Sequence, residues 1–507
     1  MNNFNLIDDP WIPVRWLPSA SDTSPLVSLG TAFTRGNEIA DLDCSPSERI
    51  SIMRLLICIT HAALGMPEDA NEWDDFAGNL EIAIPEYLRR PEIHSHFNLI
   101  GDGPRFLQNK DSKGGTTYPL SKVCPELASG NNPTLFDHWG DAPRPWIAAR
   151  AAMALLCLQN FFVGGCMAAA VKGNGPALKS LQLFLLGPNL RSSIKENCIS
   201  EDALDETSLG LGKPNWENSA DHNYLSYLTP APCSLWLDNN LQRVAIKQGF
   251  QHLDHPAYRD PFITLHTKAE KRFIVRAQTN KGIWRDLHLL TALRSEGTQD
   301  SALNLQEIKQ RIPSDTETKI KFWTGELIKA KDAKILDSLE STFTVNHSLF
   351  TPAGNNIYAS GTNHAENISR DLRRAIWIFW KTKTDLSKPE TKVKKQKWTE
   401  KIPCQGEAEK HFWHLLDQNH RTLIALAGDP ESTRGKPAVG CPGAEDTWTK
   451  AVRKAALGAY QTICPATTPR QIQAYAAGIK TLMRALYPTD KKVSKKASKK
   501  ATSTSQT

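Results

Sequence analysis

The chain has 507 residues, 40% of them apolar and 23% charged, an ordinary globular composition and more chain than one hydrophobic core accommodates. Its net charge of +7 is concentrated at the end: Lys491, Lys492, Lys495, Lys496, Lys499 and Lys500 follow Asp490 with no acid among them, and without those six the remainder carries +1. That balance excludes a uniformly basic surface, so nucleic-acid binding, if present, rests on local patches.

In chain order, MNNFNLIDDP lacks the basic and apolar regions of a signal peptide, which makes the cytoplasm the expected setting. Phe4 to Val14, FNLIDDPWIPV, alternates apolar residues around an Asp-Asp-Pro turn signal and predicts a strand or hairpin. Ser47 to Leu64 predicts a helix that starts at Ser45-Pro46 and carries Ile50, Met53, Leu56, Ile57 and Ile59 on its apolar face. From Gly101 to Arg144 the density of Gly, Pro, Asn and Asp predicts long loops. Ala151 to Val171 carries no charge and has the length of a membrane span, yet Gln159 and Asn160 lie at its centre and Gly164-Gly165 break it. A buried helix ending at that glycine pair is the reading it supports.

Tyr224 to Ile246 reads as two strands turned at Asp238-Asn239-Asn240, and Pro261 to Ala277 repeats the pattern around Lys268-Ala269-Glu270-Lys271. In Leu327 to Glu340, LIKAKDAKILDSLE, a polar turn precedes an expected helix with Asp332 as its N-cap. Beyond residue 360 four segments carry helical apolar stripes: Arg370 to Lys381, Glu407 to Asp417, Asp446 to Ile463 and Arg470 to Tyr487. They predict an antiparallel four-helix bundle. The fold class is therefore α+β: a mixed α/β domain with antiparallel hairpins over 1–360, the bundle over 361–488, and a low-complexity basic tail over 489–507.

Enzyme chemistry finds no constellation. The two glycine turns in Val163 to Ser180, VGGCMAAAVKGNGPALKS, end in Lys179-Ser180, but a phosphate loop needs glycine before the lysine and a strand before the loop. Here Leu178 precedes the lysine, Pro176 removes a backbone donor, and a helix precedes the turn; Lys179-Ser180 reads as an ordinary helix start. Gly173-Asn174-Gly175 lacks the third glycine of a dinucleotide fingerprint. His411 and His414 lie one turn apart after Glu407, the spacing of metal ligands, but without the glutamate between histidines that a zinc protease requires; a structural histidine pair is the better account. Ten scattered cysteines form no C-x-x-C pair, and no G-x-S-x-G elbow is present. No metal and no cofactor are expected. Basic hairpin tips remain: Lys247 after the first hairpin, and Lys268, Lys271 and Arg272 on the second, suited to backbone phosphates although each alone reads as a solvated cation.

These pieces, in this order, resemble the large subunit (CasA) family of the type I-E CRISPR surveillance complex, Cascade. The resemblance rests on FNLIDDPWIPV, CSPSERISIMRLL, GPRFLQ at 103 to 108, LGPNLRSSI at 186 to 194, DPFITL, WRDL at 284 to 287, LRRAIWIF and EAEKHF, and extends to Tyr487. It implies a non-catalytic DNA-binding subunit that reads the protospacer-adjacent motif (PAM) through the minor groove, promotes strand separation, and helps recruit a helicase-nuclease. Its partners would be CRISPR RNA, the other Cascade subunits and double-stranded target DNA, with no membrane. In RNA-guided recognition the protein reads a short duplex motif and base pairing reads the rest.

Carried over by position, the family's glycine loop falls on Gly164, Gly165, Cys166 and Met167, its lysine finger on Lys247, and its strand-splitting wedge on Lys331, Asp332 and Ala333. The non-target-strand patch falls on Lys268, Lys271 and Arg272, and the loop that docks into the complex and touches the RNA handle begins at Phe136. The wedge reads Lys-Asp where well-known members have Asn-Gln, and the tight Asp238-Asn239-Asn240 turn replaces a cysteine-rich hairpin found in some members. Two other classes stay in view: a nucleotide-dependent enzyme using the turn at 173–180, and a scaffold that binds DNA through its basic tail alone.

Overall fold

The structure, a computed structural model, describes residues 4–69, 72–124, 145–165, 171–217, 221–253, 257–268, 271–292, 299–311, 318–329, 335–384, 402–441 and 443–488. The chain divides into two compact units: Met1–Ile283 with Ala292–Thr344, and Trp284–Thr291 with Val345–Thr507. The expected division after residue 360 would fall inside a helix, Pro352–Thr384, and the units part instead at Thr344.

The first unit is built on the helix Pro46–Leu64. Ser45 accepts the Glu48 amide and the Glu48 carboxylate accepts the Ser45 amide, 2.9 Å away, a reciprocal cap that starts the helix with Pro46 in its first turn. Nearly every position from Ser47 to His61 is buried, so this helix is a core element rather than a surface one, and Gly65 at φ +78 ends it. Arg54 is buried within it, donating to Asp260 Oδ2 at 2.6 Å and to the Tyr227 carbonyl at 2.9 Å.

The strands form small three-stranded sheets. Ile12–Trp16 lies between Leu26–Val27 and Ile39–Leu42, both antiparallel to it. Before it, the Asn5 amide donates to Asp9 Oδ2 (2.7 Å) and the Trp11 indole donates to the Leu6 carbonyl (3.0 Å), which closes the Asp-Asp-Pro turn. A second sheet places Arg243–Gln248 between Thr116–Pro119 and Cys233–Leu237. A third orders Ile335–Asn346, Lys319–Lys329 and Gln182–Leu185, and a fourth orders Gln299–Asp300, Leu265–Lys268 and Lys271–Ile274. Mixed helix with small antiparallel sheets is thus the observed class.

Three expectations are corrected. Tyr224–Leu228 is a short helix and not a strand, because the Asn223 side chain accepts the Ser226 amide at 2.8 Å and caps it; the strand pair begins at Cys233. The segment from Ile335 is a strand and not a helix: from Leu336 to Val345 exposure alternates residue by residue, with Phe343 and Val345 inward. Lys179-Ser180 starts no helix; Lys179 adopts φ +66 at the end of a turn, and the buried strand Gln182–Leu185 follows.

In the second unit the expected helices are found at Pro352–Thr384, Pro403–Asp417, Thr447–Ile463 and Pro469–Leu486, joined by a further helix, His420–Gly428. The WRDL stretch belongs to this unit. Trp284 donates to Asp417 Oδ1 at 2.6 Å, and Arg285 pairs with Glu366 while its guanidinium lies 3.5 Å over the Trp413 ring.

Candidate nucleic-acid interface

The helix Ala148–Phe161 delivers the glycine pair. Gln159 and Asn160 are fully buried, and their amides donate to the Cys233 and Leu156 carbonyls at 3.0 and 3.1 Å, so the uncharged stretch is a core helix. Among the described residues no helix is long and apolar enough to cross a membrane.

Beyond Phe161 the two glycine turns of the sequence are the two sides of one loop. The Gly164 amide donates to Asn174 Oδ1 (3.2 Å), the Gly165 amide to the Val171 carbonyl (2.6 Å), and the Gly175 amide to the Phe162 carbonyl (2.9 Å). Each glycine has a separate reason. A Cβ on Gly164 would stand 2.6 Å from the Gly173 carbonyl oxygen, so this position admits no side chain. Gly165 is exposed at φ +76, and no described atom lies within 4 Å of where its Cβ would be. Among the described residues nothing occludes that side of Gly165, as close approach of another molecule requires.

The loop is tied to the strand Arg243–Gln248, where Gln248 Oε1 accepts the Lys172 amide at 2.9 Å. The preceding residue, Lys247, is exposed and donates from Nζ to the Asp111 carbonyl at 2.7 Å. Gly115 makes room for its stem: a Cβ there would lie 2.9 Å from Lys247 Cγ. Lys110, Lys113 and Lys172 are also exposed on the segments that flank Lys247 and Gly165. Four exposed lysines on the segments around Gly165 form a cationic surface able to hold phosphates on either side of a groove. Behind it, His252 Nε2 accepts the Ala231 amide at 3.2 Å, and burial holds its imidazole neutral, with its pKa lowered to about 3.

The CRISPR-associated protein Cse1 family model matches residues 5–459. The chain belongs to this family. The Cse1 family is thereby the setting that the sequence resemblance named, the large subunit of the type I-E CRISPR surveillance complex, Cascade. A curated relative, CRISPR-associated protein CasA/Cse1 of Thermus thermophilus, is 27% identical over 94% of this chain and 96% of its own length. The solved structure of Thermus thermophilus CasA (Cse1) matches with a TM-score of 0.73 at 22% identity, over 96% of this chain and 99% of that one. A chain of a CRISPR RNA-guided surveillance complex matches with a TM-score of 0.72 at 16% identity, over 95% of this chain and 99% of that one.

Within this Cse1 fold the structure brings Gly164, Gly165 and Lys247 to one end of one sheet. It sets Lys268, Lys271 and Arg272 on a separate hairpin, where Lys268 pairs with Lys271 and Thr267 with Arg272. Arg272 also forms an ion pair with Asp300 at 3.8 Å, so it is not a free cation. Cys166, Met167, Phe136, Lys331, Asp332 and Ala333 lie outside the described residues. The last three fall between the neighbouring strands Lys319–Lys329 and Ile335–Asn346.

The alternative nucleotide turn has most of its central amides committed. The amides of Gly175, Ala177 and Leu178 are spent on the carbonyls of Phe162, Asn160 and Gly175, and a strand rather than a helix N-terminus follows. His411 is half-buried and His414 exposed, with His414 Nε2 3.2 Å from Gln418 Nε2. Among the described residues no group of three or more His, Cys, Asp or Glu side chains could hold a metal ion. Sequence reasoning passed over Lys110, Lys113 and Lys172; for two of them the signal was a lysine beside a glycine, at Lys113-Gly114-Gly115 and at Lys172-Gly173, while Lys110 carried no such signal.

Proposed function

We propose that this chain is the non-catalytic subunit of a cytoplasmic RNA-guided antiviral complex that reads the PAM of double-stranded DNA from the minor groove. The observation that carries the reading is the closed glycine loop, which presents the Gly165 backbone without a side chain beside exposed Lys247 and Lys172. The minor groove is narrow and its edge pattern degenerate, so a bare backbone with flanking cations suits it better than a helix does.

Motif binding would then promote strand separation through Lys331, Asp332 and Ala333 and favour pairing of the target strand with the guide. Phosphates repel the Asp332 carboxylate, so Lys331 or Lys334 would have to offset it there. The loop beginning at Phe136 is assigned to docking and the RNA handle. The C-terminal helices, read as a four-helix bundle with one short added helix, would complete the docking surface and assist the helicase-nuclease.

The test is titration of target duplex into the reconstituted complex at several salt concentrations. Lys247→Ala is expected to weaken binding and to lower the slope of log K against log salt by about 1, the contribution of one phosphate contact. An unchanged slope would remove Lys247 from the interface.

A further inference from the structure

The strand Lys271–Ile274 forms the outer edge of its sheet among the described residues, since Leu265–Lys268 lies between it and Gln299–Asp300. Lysine on such an edge is a common guard against unwanted pairing with another chain. Phenylalanine has the opposite effect, yet Phe273 is 51% exposed, and no other phenylalanine among the described residues is exposed. Alternation along the strand puts Phe273 on the same face as Lys271, directly across from His266. Arg272 projects to the other face, where it meets Asp300. What remains is an exposed ring and an exposed ammonium on residues whose backbones are about 6.6 Å apart along the strand, close enough for one nucleotide to reach both with its base and its phosphate.

We propose that Phe273 is a stacking platform for an unpaired base of single-stranded nucleic acid, with Lys271 on the adjoining phosphate. The occupant follows from the chemistry of the face. A duplex shows its base edges and hides its base faces, so an exposed ring gains little from it; an unpaired base offers a whole face, and the neighbouring cation selects a polyanion. The inference rests on the reading above that the chain works on opened DNA, and it adds a base contact to a patch assigned only to phosphates.

The experiment compares binding of the full chain to a short oligothymidylate and to an abasic oligomer with the same number of phosphates. Wild type is expected to prefer the oligomer with bases. Phe273→Ala should weaken oligothymidylate binding about tenfold, leave abasic binding unchanged and erase the preference, while Phe273→Trp retains it. Lys271→Ala should weaken both ligands together. A base preference that survives Phe273→Ala, or a Phe273→Ala loss that is equal on both ligands, overturns the proposal. Motif discrimination on intact duplex is measured separately with Gly165 and Lys247 variants, so failure of the motif reading and failure of the platform give different results.

Discussion

His61 is 1% exposed, and its two ring nitrogens are both committed: Nδ1 lies 2.9 Å from the Gly65 carbonyl, and Nε2 lies 3.2 Å from the Ile199 amide. The pair of partners selects the neutral tautomer with the proton on Nδ1, because Nε2 must accept. Burial lowers its pKa to about 4. An unfolded histidine titrates at about 6.5, so the unfolded state takes up the proton first as pH falls. Stability from this group is complete above pH 6.5 and is lost progressively down to about pH 4, amounting to about 3 kcal/mol at that limit. Urea denaturation between pH 7.5 and 4 should show that loss, and His61→Gln should flatten this part of the profile. The Arg54–Asp260 pair makes a second residue-scale prediction. Asp260→Ala strands a fully buried guanidinium and should cost about 3–5 kcal/mol, while joint replacement of Arg54 by Met and Asp260 by Leu should cost less. Neither feature was legible beforehand, since His61 and Arg54 read as members of a helix whose partners lie far away in the chain.

At the scale of elements, the helix Pro46–Leu64 was legible because its signals are local: Ser45, Pro46, Glu48 and a long apolar run. The helix Pro352–Thr384 was read only from Arg370 onward. Its first half contains Gly354 and Gly361, which weaken helix propensity but let neighbours come close. A Cβ on Gly354 would stand 2.6 Å from the Ala427 carbonyl oxygen, and one on Gly361 3.2 Å from Trp448 Cδ1, whose indole donates to the Gly361 carbonyl at 2.9 Å. Gly361→Val should therefore destabilise the chain by about 1–3 kcal/mol, read as a fall in the midpoint of chemical denaturation. The strand Ile335–Asn346 was missed because its leading Ala-Lys-Ile-Leu has helical character, and pairing with Lys319–Lys329 overrides it. The glycine loop was half legible: the turns at 164–165 and 173–175 stood out, but only the folded chain shows that they close on each other.

For the whole molecule, the order of motifs from FNLIDDPWIPV to EAEKHF carried the family, and the Cse1 match over residues 5–459 agrees with it. Individual site positions were less accessible, because the surface around Lys247 is assembled from segments near residues 110, 165, 172 and 247. A chain that binds DNA only through its basic tail would lose binding when residues 491–507 are removed. Motif-dependent binding is expected to survive that truncation, with only motif-independent binding reduced, as competition with random-sequence duplex would show.

The most direct test of the central claim uses Gly165→Asn. Asparagine tolerates a positive φ better than most residues, and the site has room for its Cβ, so the fold should be retained. The added side chain would stand where the minor groove is proposed to lie. Binding of the assembled complex to duplexes that differ only in the PAM should lose its motif dependence in this variant while guide-paired single-stranded target still binds; full motif discrimination by a folded Gly165→Asn complex would contradict the account.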